Sequence, residues 1–344
     1  MKKKALFIGG TGTISTAIVR ELAENTDWEI WLLNRGNRKL DFGEKVHYIT
    51  ADIHDEEKVR TKLENQFFDV VGEFIAFRLE HVERDYRLFS GKTRQYIYIS
   101  SASAYQKPSA SPWITEGTAL SNPYWQYSRD KIACENFLME KYRENGFPVT
   151  IVRPSHTYDE RKIPVAVHGS QGSWQVIRRM MDHKPVIIPG DGSSLWTVTF
   201  NTDFARGYIG LMGNRHAIGE AFQITGDETL SWDQIYRTIA DELGVELCPY
   251  HVASDFLASV GTQYDLRGGL LGDKSVSVIF DNSKLKKAVP IMETKVPFHE
   301  GVHKAVEYIL AHPECQKEDP EFDDWCDKVI ESQEKAKEMF KAKG

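Results

Sequence analysis

The chain has 344 residues, enough for about two domains of ~150 residues or one large α/β unit with an appendage. Lys plus Arg number 43 and Asp plus Glu 50, a net charge of −7, so bulk electrostatics argue against a nucleic-acid or anionic-membrane protein. Hydrophobic residues at 41% and charged residues at 27% argue against a disordered or fibrous chain.

The cysteines at 134, 248, 315 and 326 contain no C-x-x-C pair, which leaves a zinc or dithiol centre with little support. They read as reduced, buried thiols of a cytoplasmic protein. Lys2-Lys3-Lys4 has the form of a signal n-region, but the apolar run Ala5–Ile8 meets glycine at once. No span approaches the ~18 apolar residues of a membrane helix.

Taken in chain order, Leu6–Ile8, Glu29–Leu33, Val46–Ile49, Val70–Phe77, Tyr96–Ser100 and Val149–Val152 read as strands. They are continuous apolar runs, the pattern of a parallel sheet covered on both faces. In the first intervening segment Ile18, Val19, Leu22 and Ala23 share one helical face. A longer helix is expected from about Pro123 to Asn145, stopped by Gly146 and Pro148. Glu73 lies inside a run that should be buried, and reads as the exposed start of its strand, the favoured reading, or as a polar site near a cofactor.

Helices are expected at 173–182, 202–213, 231–242 and 299–312, with Ser231 and Gln234 in capping-box spacing. Short strands at Val186–Ile188 and Ala221–Ile224 lie between turn signals. The fold class is therefore α/β, a Rossmann-type doubly wound parallel sheet with a smaller C-terminal α/β lobe for substrate. The expected divisions are 1–155, with parts of 196–225 returning to it, then 156–315, and a charged C-terminal helix over 316–344.

Gly9-Gly10-Thr11-Gly12-Thr13-Ile14-Ser15 follows the first strand and opens the first helix. Gly9 permits the tight turn, and Gly12 lets a pyrophosphate approach the free N–H groups of the helix end. Ser15 stands where a third glycine is expected for close packing. After the second strand come Asn34-Arg35, with Arg38 beyond, where an NAD enzyme usually has an acid on its ribose hydroxyls. A guanidinium there suits the 2′-phosphate of NADP, so the cofactor reads as NADP or NAD, with NADP favoured. Asp52, after the third strand, is placed to meet the adenine edge.

Tyr127 and Lys131 are spaced i, i+4 and share one face of the long helix. An ammonium beside a phenol favours phenolate, which makes the tyrosine a general acid/base. Ser101, after the fifth strand, completes a hydride-transfer site by bonding the reacting oxygen. Roughly one Y-x-x-x-K match is expected by chance with this many tyrosines. The second match, Tyr158–Lys162, lies between Pro154 and Pro164, where a helix is not expected.

These pieces, with Ser100-Ser101-Ala102-Ser103-Ala104-Tyr105, Glu116, Arg153-Pro154, Gly190-Asp191-Gly192, Asp203 and Asp281–Leu285, resemble the extended short-chain dehydrogenase/reductase family, the NAD-dependent epimerase/dehydratases. Asn34-Arg35-Gly36 and the 196–203 stretch look like a bacterial branch similar to the chloroplast stem-loop RNA-binding proteins. The resemblance implies cofactor contacts that also include Thr13, Ile14, Ile53, Ala76 and Pro154. It further implies a sugar or sugar-nucleotide substrate and dimers packed through helices. Where the family's 4,6-dehydratases carry Asp-Glu this chain has Ala102 and Ser103, which disfavours dehydration. Trp196 replaces a diphosphate-binding arginine and His156 an asparagine. Substrate contacts are therefore expected from Ser103, His156 and Trp196, with Arg178, Arg179 and Arg267 as other possible grips. The alternative reading is an RNA-binding or RNA-cleaving protein like the chloroplast branch; the net charge and the lack of a basic stripe disfavour it.

Overall fold

The structure, a computed structural model, describes residues 2–37, 40–290 and 292–341. It divides into two compact units. One comprises the chain up to Thr157 with Thr197–Asp227 and Phe280–Val296; the other comprises Tyr158–Trp196, Glu228–Ile279 and the chain from Pro297.

The first unit is built on a seven-stranded sheet. Its strands are β1 Lys4–Ile8, β2 Glu29–Asn34, β3 Val46–Thr50, β4 Val70–Glu73, β5 Tyr96–Ile99, β6 Val149–Pro154 and β7 Ala221–Ile224. Their order is β7-β6-β5-β4-β1-β2-β3, with every neighbouring pair parallel. The helices between them are α1 Thr13–Asn25, α2 Glu56–Lys62, α3 Leu79–Phe89, α4 Gln126–Asn145 and α5 Asn201–Leu211. Successive residues of a strand point to opposite faces, and β1 shows the division. Ala5 and Phe7 join one apolar cluster with Ile18 and Leu22 of α1 and Phe204 and Tyr208 of α5. Leu6 and Ile8 join another with Val59, Val82 and Leu138 of α2, α3 and α4. Both faces are thus covered, which is why the strands read as unbroken apolar runs.

Several expectations need revision. The run 70–77 forms a strand only to Glu73; Phe74 to Phe77 turn across the sheet edge, and the run looked continuous because that turn is apolar as well. Glu73 is not an exposed strand start but is fully buried. The long helix begins at Gln126, since Asn122 Oδ1 accepts the N–H groups of Tyr124 and Trp125 and forms a turn ahead of it. Residues 280–296, expected in the second lobe, belong to the first unit; Leu285 and Val289 join the cluster under α5. Two cysteines, Cys134 and Cys326, are buried, whereas Cys248 and Cys315 are half-buried; all four are free thiols.

In the second unit, strands Val186–Pro189 and Pro249–Val252 pair in parallel. Ser231 and Gln234 form the expected capping box on helix Trp232–Glu242. The last helix runs Pro320–Lys341 and buries Phe322, Cys326 and Val329. Asp323 and Asp327 of that helix grip Arg179, which is buried, at 2.6 Å each. Among the described residues, no helix is long and apolar enough to cross a membrane.

Candidate active site

At the C-terminal edge of β1, β2 and β3 lies a cavity of about 580 Å³, walled by Gly9, Gly12, Asn34, Arg35, Asp52, Ile53, His54, Ile75, Phe77 and His81 among others. The glycine turn shapes its floor. Gly9 has φ +87°, and a Cβ there would meet Ile75 Cγ2 at 2.5 Å, so only glycine fits. A Cβ on Gly12 would meet nothing nearer than Ser15 Oγ at 3.6 Å, which leaves open space over the helix end. Ser15 does more than substitute for a small residue. Its hydroxyl donates to Gly9 O at 2.8 Å and accepts from Gly12 N at 2.9 Å, closing the turn on itself.

Along the wall, Asn34 Oδ1 accepts from Gly36 N at 2.9 Å, while its Nδ2 is buried with no partner among the described residues. Arg35 is exposed. Arg38 lies outside the described residues. Asp52 Oδ1 accepts from His54 N at 3.0 Å, and Ile53 is buried. Ile75 and Phe77 remain 38% and 45% exposed, an apolar surface suited to a flat ligand. His81 and His54 stand edge to face, 5.0 Å apart. The Phe77 N–H donates to His81 Nδ1 at 3.1 Å, and burial followed by the nearby Arg84 charge holds that imidazole below its usual range.

An unsatisfied amide donor, open space at the helix end and exposed apolar side chains fit a dinucleotide. Gly9, Gly12, Thr13, Ile14, Asn34 and Arg35 would hold its phosphates and ribose. Asp52 and Ile53 would meet the base.

Phe77 connects this cavity to the expected catalytic group. Its ring lies 6.4 Å from that of Tyr127, which is half-buried and also 4.9 Å from Trp125. Lys131 is buried, with Nζ donating to Ala76 O and Ile99 O at 2.7 Å each. The ammonium lies 4.7 Å from the Phe77 ring, 4.9 Å from Tyr98 and 5.8 Å from Tyr127. Burial lowers its pKa to about 8. Ser101 is half-buried at the start of the turn after β5, and its oxygen lies 2.9 Å from that of Ser103. Pro154 ends β6 and is buried; His156 follows, half-buried.

The other expected substrate contacts belong to the second unit, apart from Ser103. Trp196 is buried and stacks on Trp232 at 5.9 Å. Arg178 is exposed and pairs with Asp182 and Glu318. Arg267 is exposed on a π-helical stretch, Arg267–Lys274. The Tyr158–Lys162 match forms no helix. Sequence reasoning missed Phe77, His54, His81, Asn122 and Ser128. Only Asn122, ahead of Pro123, carries a local turn signal.

A sequence profile of the NAD dependent epimerase/dehydratase family matches residues 5–225. The chain is 25% identical over 252 residues to the chloroplast stem-loop binding protein of 41 kDa b of Arabidopsis thaliana, covering 70% of this chain and 63% of that protein. It is 29% identical over 151 residues to an uncharacterized UDP-glucose epimerase, YtcB, of Bacillus subtilis, covering 43% and 45%. A putative UDP-glucose 4-epimerase of Methanocaldococcus jannaschii is 26% identical over 268 residues, covering 70% and 82%. The match thus spans less than two thirds of the first two relatives. Among solved structures, UDP-glucuronic acid 4-epimerase from Bacillus cereus, in complex with UDP-glucuronic acid and NAD, superposes with a TM-score of 0.72. It is 19% identical, with 90% of this chain and 99% of that one covered, a likeness of fold. The profile covers more than half of the chain, and its span contains the glycine turn, Ser101 and the Tyr127–Lys131 pair: the chain belongs to the NAD dependent epimerase/dehydratase family.

Proposed function

We propose that the protein oxidises, reduces or epimerises a hydroxyl-bearing carbon of a sugar or sugar nucleotide, using NADP in preference to NAD. The observation that carries this reading is the position of Phe77, which lines the dinucleotide-sized cavity and also packs against Tyr127 and Lys131. Tyr127 takes the proton of the substrate hydroxyl as general base and returns it as general acid. Lys131 supplies the positive charge that favours phenolate. Ser101 bonds the reacting oxygen. The nicotinamide, when bound, supplies the hydride acceptor.

The NADP preference rests on Asn34 and Arg35. A neutral amide and a guanidinium stand where a carboxylate would repel a 2′-phosphate. Ala102 and Ser103 bring no carboxyl beside Ser101, which supports epimerisation or simple redox chemistry over water elimination. The relatives named for UDP-glucose and UDP-glucuronic acid make those two sugar nucleotides the first substrates to try.

The test is turnover of each with NAD⁺ and NADP⁺, followed by nicotinamide absorbance and by NMR of the sugar. Tyr127→Phe is expected to lose at least about a hundredfold in kcat while retaining dinucleotide binding. Full activity of that variant would overturn the mechanism.

A further inference from the structure

Ser101 is the end of a chain of three hydroxyls. Ser128 Oγ, on α4, donates to Ser103 Oγ at 2.8 Å, and the Ser103 and Ser101 oxygens lie 2.9 Å apart. Ser101 Oγ also accepts the Ser103 backbone N–H at 3.2 Å. A serine hydroxyl has one hydrogen and two lone pairs, so the direction of the middle bond decides what Ser101 can offer a ligand.

If Ser101 donated to Ser103, the Ser103 hydrogen would be left without a partner among the described residues. Ser103 is 3% exposed and Ser128 0%, and a buried donor left without an acceptor keeps the full cost of its desolvation. The favoured arrangement therefore runs one way, from Ser128 to Ser103 to Ser101. Ser101 then accepts two hydrogen bonds, and its own hydrogen is free to point outward. The backbone holds this order in place. Asn122 Nδ2 donates to Ser103 O at 2.8 Å while Asn122 Oδ1 accepts from Tyr124 and Trp125, just ahead of Tyr127.

We propose that Ser103 and Ser128 are positioning residues that fix Ser101 as a hydrogen-bond donor toward the substrate oxygen, leaving Tyr127 as the group that takes the hydroxyl proton. The proposal rests on the roles given above to Ser101 and Tyr127, and it makes Ser103 a support for Ser101 rather than a substrate contact. A donor that cannot turn round favours an oxygen that gains negative charge as its proton leaves, the condition for preorganised stabilisation.

Neutron diffraction from deuterium-exchanged crystals of the full chain reads the order directly. The expected map places the Ser128 deuterium toward Ser103 and the Ser103 deuterium toward Ser101. A Ser101 deuterium directed at Ser103 overturns the proposal. The kinetic arm compares Ser128→Ala and Ser128→Thr, with UDP-glucose and UDP-glucuronic acid as probes and melting temperature as the folding control. Loss of orientation, rather than of the donor itself, is expected to lower kcat about tenfold with KM changed less than about twofold, and threonine is expected to restore kcat. A rise in KM alone, or an unchanged kcat in the alanine variant, overturns it. If the wild-type chain turns over neither probe, the choice of substrate fails, and the neutron map alone decides the hydroxyl order.

Discussion

Lys131 holds its ammonium between two carbonyls and three aromatic rings, and burial brings its pKa to about 8. The cation is present below that pH and lost above it. Turnover that depends on a charged Lys131 should therefore decline as the pH rises through about 8, a limb that a pH–kcat profile measures. Asn34 sets a second expectation. Asn34→Asp places a carboxylate where a 2′-phosphate would sit, and should move the NADP-to-NAD preference toward NAD by about tenfold or more, checked by titration calorimetry with both dinucleotides. Glu73 carries a stability argument. Burial, then the neighbouring Asp85 carboxylate, push its pKa well above the usual range. In the unfolded chain it ionises near ~4.3, so the folded state keeps the proton over a window in which the unfolded state releases it. The contribution to stability is complete below about pH 4.3 and declines as the pH climbs toward the folded value. Glu73→Gln removes that decline: urea denaturation should show a gain at neutral pH that vanishes near pH 4.

At the scale of elements, the site depends on connections between segments. Asn122 ties the turn bearing Ser103 to the turn that starts α4. Asn122→Ala leaves a buried carbonyl and two turn N–H groups without their partner. It should cost about 1–3 kcal/mol of stability and lower kcat, measured by denaturant unfolding alongside turnover. The β4 exit is a second such connection. Ile75 N donates to Glu73 Oε1 at 2.6 Å, Ile75 packs on Gly9, and Ala76 O holds Lys131. This turn was invisible in the sequence because Phe74-Ile75-Ala76-Phe77 has the composition of a strand, and apolar content alone does not say where pairing stops. The glycine turn was legible. Its geometry is local, set by Gly9 and the helix that begins four residues later.

At the scale of the whole molecule, two compact units share one chain, and the cavity beside the glycine turn, proposed above for the dinucleotide, lies wholly in the first. NADP⁺ at about a hundred times its Kd should stabilise that unit by about 2.7 kcal/mol. Calorimetry should show the shift in the transition that hydrogen exchange assigns to the seven-stranded sheet. The net charge of −7 leads to a further expectation: a filter assay with stem-loop RNA should find no tight binding at physiological salt. Tight binding that weakens steeply between two salt concentrations, the mark of real phosphate contacts, would favour the alternative reading instead. The sequence by itself determined the parallel sheet, the glycine turn and the Tyr127–Lys131 pair, because each is written in neighbouring residues with a fixed period. Only the tertiary structure decided that Ser128 reaches Ser103, that Phe77 joins the cavity to the Tyr127–Lys131 pair, and that Leu285 and Val289 return beneath α5. Those contacts join residues far apart in the chain, and chain spacing holds no record of which distant side chains the closed core brings together.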